Sequence, residues 1–206
     1  WIVTKTAEIF LDANGRAVLT ASQVDAGSSD NCGIRSIEIN KTIFTCSDVG
    51  TSKVTLIVTD LSGNQSFAEA TVFVQDLRPP VAVTNAQTVY LNAQGKGSLD
   101  VPAFSRGSID NCGIADVSVN IGDLGCEHLG CQLFTLTVRD LVGNITSLDG
   151  QVTVLDTIAP RIRMQNVVLF ADGNGQATLT VARSNAQIEE ACGVQSIEFS
   201  QTDFSC

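Results

Sequence analysis

The side chains in this sequence with chemistry to offer are cysteines and carboxylates. Six of seven cysteines form pairs 14 positions apart: Cys32 and Cys46, Cys112 and Cys126, Cys192 and Cys206. Thiols kept at one spacing read as disulfides, so the expected bonds are Cys32–Cys46, Cys112–Cys126 and Cys192–Cys206. Each would close a short loop and contribute roughly 3 kcal/mol in the chain-entropy model. Cys131 is left over; it is a second possible partner for Cys112 and otherwise a free, partly buried thiol. The carboxylates recur with amides beside them: Asp30-Asn31 and Asp60 with Asn64, then Asp110-Asn111 and Asp140 with Asn144. Such oxygen-rich groups suit calcium, a hard cation wanting six to eight oxygens. They equally suit turns, because Asp and Asn bond their own backbone. Asp12-Ala13-Asn14-Gly15 reads as a hairpin turn and nothing more.

Catalysis is poorly provided for. His128 is the single histidine, without a nucleophile motif near it. Zinc on Cys126, His128 and Cys131 lacks a fourth ligand and a usual spacing, so His128 reads as a solvent-facing loop residue. Phosphate-loop and dinucleotide fingerprints are missing. The chain reads as a non-enzyme with no cofactor unless calcium is one.

These residues are positioned by a repeat. Asp30-Asn31-Cys32-Gly33-Ile34 returns 80 residues later as Asp110-Asn111-Cys112-Gly113-Ile114, and in altered form as Glu190-Ala191-Cys192-Gly193-Val194. Asp60-Leu61-Ser62-Gly63-Asn64 returns as Asp140-Leu141-Val142-Gly143-Asn144, and Ile9–Gly15 as Val89–Gly95 and Leu169–Gly175. The expected units are 1–80, 81–160 and a partial 161–206, with Pro79-Pro80 and Ala159-Pro160 as stiff junctions. Within a unit the apolar period is two: Val54, Leu56 and Val58 alternate with Thr55, Ile57 and Thr59. No segment has a convincing helical period. Six or seven short strands per unit predict an all-β antiparallel sandwich. In that topology the loop before Cys112 and the last hairpin share a pole near the preceding linker, which would bring Asp76 toward Asp110 and Asp140.

The net charge of −10 excludes nucleic acid as a partner, since a basic face is needed to displace counterions. No apolar run is long enough to span a bilayer as a helix. Disulfides imply an oxidising, extracytoplasmic compartment. Asn40, Asn64 and Asn144 begin N-glycosylation sequons that chance would supply in a Ser/Thr-rich chain.

The combination of Asp-Asn-Cys-Gly, a second cysteine, the strand-turn Val54–Asn64 and the closing Val154-Leu155-Asp156-Thr157-Ile158-Ala159-Pro160 resembles the hyalin-repeat (HYR-like) immunoglobulin-like modules. More closely it is similar to the tandem repeats of giant Bacteroidetes surface adhesins, such as those of gliding motility. The resemblance covers the whole chain; Glu190-Ala191 departs from it. It implies an extracellular, cell-surface stalk or adhesin fibre whose partners are neighbouring repeats of the same chain and a surface or matrix ligand. Export by a type IX-like system and anchoring would use segments outside this sequence. Asp156-Thr157-Ile158 resembles an O-glycosylation motif of these bacteria, with the sugar on Thr157. A ligand-binding module for glycan or matrix, or an accessory domain of a secreted enzyme, is the alternative.

Overall fold

The computed structural model describes residues 1–205. Alternating side chains set the strands, and turn residues set their ends. The first repeat runs β1 (Ala7–Phe10), β2 (Arg16–Val18), a one-turn helix α1 (Ala21–Val24), β3 (Ile34–Ile39), β4 (Ile43–Thr45), β5 (Gly50–Asp60) and β6 (Gln65–Gln75). The strands form two sheets, one ordered β1-β6-β5-β3 and the other pairing β2 with β4. The second repeat has the same plan: β7 (Gln87–Tyr90), β8 (Lys96–Ser98), α2 (Val101–Phe104), β9 (Ile114–Val119), β10 (Asp123–Gly125), β11 (Gly130–Asp140) and β12 (Ile145–Leu155). Its sheets are β7-β12-β11-β9 and β8-β10.

The long hairpin carries the core, as its period requires. Val54, Leu56 and Val58 of β5 and Ala70, Val72 and Val74 of β6 are buried, in a register that pairs Val54 with Ala70 and Leu56 with Ala68. Phe44 of β4 and Leu19, the residue after β2, belong to the same core. In the second repeat Phe134, Leu136, Val138, Val152 and Val154 are buried in the same way.

Two features differ from the sequence reading. The first strand of each of the first two repeats pairs parallel, not antiparallel, with the last: Ala7 stands against Val72 and Phe10 against Gln75, and likewise Gln87 against Val152. A parallel pair needs a long crossover, which all the intervening strands together supply. A single helical turn also follows β2 and β8, too short to show a period in sequence. Thr20 precedes α1, and the Gln23 side chain accepts its N–H at 2.8 Å. At α2 the roles are reversed, and the side chain of the preceding residue, Asp100, accepts the Ala103 N–H. Each turn contributes one fully buried residue, Val24 and then Phe104.

The third repeat is represented by β13 (Arg161–Arg163), β14 (Gln176–Thr178), β15 (Gln187–Glu189) and β16 (Asp203–Ser205), paired β13-β15 and β14-β16. Counterparts of β5 and β6 are not in this sequence, and Val168 and Phe170 stand exposed. By packing, the chain divides into two compact bodies. One holds residues 1–84, 105–118 and 135–148; the other holds 85–104, 119–134 and 149–206.

Leu56 and Leu136 are fully buried, so replacing either with Ala is expected to cost about 2–5 kcal/mol. Thr55→Ala should cost far less, and denaturant midpoints would separate the two classes.

Candidate functional site

Strand direction decides where the reactive residues go. The turn Asp12–Gly15 reverses the chain, with the Gly15 N–H donating to Asp12 O, so β2 runs opposite to β1. Antiparallel pairing then makes β4 run with β1. In the large sheet, β3 is antiparallel to β5, β5 to β6, and β6 is parallel to β1. Hence β3 and β4 point the same way. Cys32 lies at the pole where β3 begins and Cys46 at the pole where β4 ends. A disulfide needs Cα atoms about 4.4–6.8 Å apart, so the predicted Cys32–Cys46 bond cannot form.

The cysteines bond across the repeats instead. Cys46 is joined to Cys112 and Cys126 to Cys192, each 66 residues apart with Cα separations of 5.3 and 5.1 Å. This overturns the expected Cys112–Cys126 and Cys192–Cys206 bonds as well. Cys32 and Cys131 are free and exposed, so Cys131 is more open than expected; Cys206 lies outside the described residues. With a 66-residue loop, the chain-entropy contribution rises to about 4 kcal/mol per bridge.

The hairpin turn Asp12–Gly15 seats the first bridge, a role its sequence did not suggest. Gly15 has φ +67°, and a Cβ there would stand 2.6 Å from Cys46 Sγ and 2.7 Å from Asn111 O. Gly95 repeats this under the second bridge, 2.7 Å from Cys126 Sγ. Asp12 shapes the turn by accepting the backbone N–H groups of Asn14 and Arg16. The Arg16 bond first, then that of Asn14, holds its carboxyl below the usual range. Its contribution to the fold is therefore present above that range and fades as pH falls through it.

Three carboxylates meet beside the first bridge. Asp76 leaves the end of β6, Asp110 precedes Cys112, and Asp140 closes β11; one oxygen from each lies within 4.8 Å of the others. Asp110 Oδ1 accepts the N–H groups of Cys112 and Gly113. Asp140 Oδ1 accepts those of Val142, Gly143 and Asn144. Asp76 Oδ1 accepts from the Arg78 N–H and from Asn111 Nδ2 at 3.2 Å. Asn144 Nδ2 donates to Asp140 Oδ2 at 2.7 Å and to the carbonyls of Asp76 and Arg78. Asn111 and Asn144 thus tie the exit of one repeat to the loops of the next.

The corresponding residues of the first repeat make the same turns alone. Asp30 Oδ1 accepts the Cys32 N–H, Asn31 is exposed, and Asp60 binds both the Asn64 N–H and its side-chain amide. The Asn64 side chain leads in holding the Asp60 carboxyl below its ordinary range. At the next junction Glu190 Oε1 takes the Cys192 N–H at 3.3 Å.

His128 is only partly exposed, not solvent-facing. Its Nδ1 accepts the Gly125 N–H at 3.1 Å, the task Asp48 performs for Thr45 in the first repeat, and its ring packs edge-on against Phe134. Since Cys126 is bonded to Cys192, zinc has no place there. Thr157 is exposed beside Asp156.

No protein-family model matches the chain, and no curated protein does. Among solved structures, the chain is similar to the human mucin-like protocadherin EC1-2 at 11% identity and TM-score 0.34, covering 76% of this chain and 98% of that one. It is similar to fibronectin(III)-like modules of Clostridium thermocellum CbhA at 13% identity and TM-score 0.27, covering 75% and 91%. Against the protocadherin gammaB4 extracellular domain it has 14% identity and TM-score 0.32, covering 90% of this chain but 42% of that one.

Peptide mapping without reduction is expected to recover Cys46 linked to Cys112 and Cys126 to Cys192, with Cys32 and Cys131 alkylated. A Cys32–Cys46 peptide would contradict the strand directions. Gly15→Ala is expected to destabilise by at least about 1 kcal/mol from its backbone alone, read as a lower melting temperature.

Proposed function

We propose that this chain is a segment of an extracellular adhesion-type stalk, built of tandem sandwiches that are covalently bonded each to the next. The observation that carries this is the bridging of successive repeats through Cys46–Cys112 and Cys126–Cys192. A binding or catalytic module needs its own core and site; it has no use for a cross-link to its neighbour at every boundary. A structure that transmits tension does. Disulfides support an oxidising compartment, and the repeat motifs support a long, secreted bacterial surface filament. A glycan- or matrix-binding role is favoured by one feature: Phe10 and Tyr90, equivalent positions on the first strands, are 53% and 62% exposed.

Stretching single molecules from both ends distinguishes a stalk from a passive array. Each bridge hides 66 residues from the load, on the order of 220 Å of contour at roughly 3.3–3.6 Å per residue. Oxidised molecules are expected to unfold without releasing that length, and reduced ones to release it once per bridge. Equal extension in both states would defeat the proposal.

A further inference from the structure

Turn formation and the Asn144 side-chain amide account for both oxygens of Asp140, but hydrogen bonds account for only one oxygen each of Asp76 and Asp110. Asp30 and Asp60 make the same turns, yet Asp30 is exposed and Asp60 half-buried. At the junction Asp140 is 1% exposed and Asp76 5%. Among the described residues, the polar partners of Asp76, Asp110 and Asp140 are uncharged N–H groups, so three formal negative charges stand together with no basic side chain bonded to them. Burying a charge without a partner is costly, and like charges at this distance repel.

The second observation is independent of the clustering. Asp76 Oδ2 and Asp110 Oδ2 are buried and have no hydrogen-bond partner. Asp76 in particular is 95% buried, and its Oδ2 serves no turn. Two acceptors sealed from water beside a third carboxylate ask for a positive charge between them. Oxygens bound to one calcium ion at about 2.3–2.6 Å can be no more than about 5 Å apart, and one oxygen from each of Asp76, Asp110 and Asp140 meets that condition, all three lying within 4.8 Å of one another.

We propose that Asp76, Asp110 and Asp140 bind a divalent cation, with calcium the best match because it accepts carboxylate oxygens in flexible geometry. Asp76 comes from the first repeat and the other two from the second, so the ion ties the exit of one sandwich to the entry loops of the next. It reinforces the connection already made by Cys46–Cys112. The site stands on its own chemistry, whether or not the chain serves as a stalk.

The test is calorimetry and thermal melting of the full chain with calcium chloride, before and after chelation. The wild type is expected to bind with a dissociation constant of about 10⁻⁴–10⁻³ M and to melt higher with calcium. Asp76→Asn keeps the Oδ1 acceptor and the side-chain shape while removing one charge. It should melt no lower than the wild type in chelator, and it should lose the calcium-induced rise and weaken binding at least tenfold. Asp60→Asn, at the half-buried counterpart of Asp140 in the first repeat, should keep the full response. Absence of both heat and stabilisation in the wild type overturns the site. So does a calcium response that Asp76→Asn leaves undiminished.

Discussion

The junction rests on two short strands pointing the same way. Because β3 and β4 run in one direction while passing from the large sheet to the small one, the residues between Cys32 and Cys46 traverse the sandwich from pole to pole. Had they formed a hairpin, both thiols would lie at one end and the bridge would stay inside the repeat. Traversal instead gives each repeat a thiol at either pole. Asp76, where the chain leaves the sandwich, lies at the same pole as Cys46, beside the Asp12–Gly15 turn. Bridge, turn and carboxylates converge there because strand direction puts them there.

The small side chains at this place follow from the same convergence. Gly15 combines a left-handed backbone with a close approach of sulfur on one side and a carbonyl on the other. Either demand alone would favour glycine; together they leave no room for a Cβ. The Asp side chains occupy their positions for a different reason, since a carboxylate that accepts several backbone N–H groups fixes a tight turn without needing any tertiary partner. Turn chemistry therefore sets the local shape, and packing between repeats decides which of those turns become buried.

The strand positions of this fold were open to reading. The alternation at Val54, Leu56 and Val58 and its return at Phe134, Leu136 and Val138 mark the hairpin that holds the core. Disulfide partners were not. With a period of 80 residues, spacings of 14 and 66 are complementary, since together they make up one period. Every repeat therefore supports both pairings equally, and only strand direction, which alternation does not encode, separates them. The one-turn helices were hidden for a simpler reason: four residues are too few to display a helical period. His128 misled because its counterpart is Asp48, and an imidazole nitrogen can replace a carboxylate as acceptor without any resemblance in side-chain type. The approach of Asp76 to Asp110 and Asp140 follows from sandwich connectivity, whereas their depth of burial comes from packing at the junction that no local pattern records.

The position of the bridges also determines what a broken peptide bond does. Between Cys46 and Cys112 the polypeptide and the disulfide offer two covalent routes in parallel, and the same holds between Cys126 and Cys192. A protease cut in either segment, including one at the proline-containing linkers, opens a loop without parting the molecule. Only the short stretch from Cys112 to Cys126 connects the two bridges by a single route, and much of it is paired in β9 and β10. Most of the backbone between the outer cysteines is thereby redundant for continuity, and the segment that is not redundant is held within the sheets.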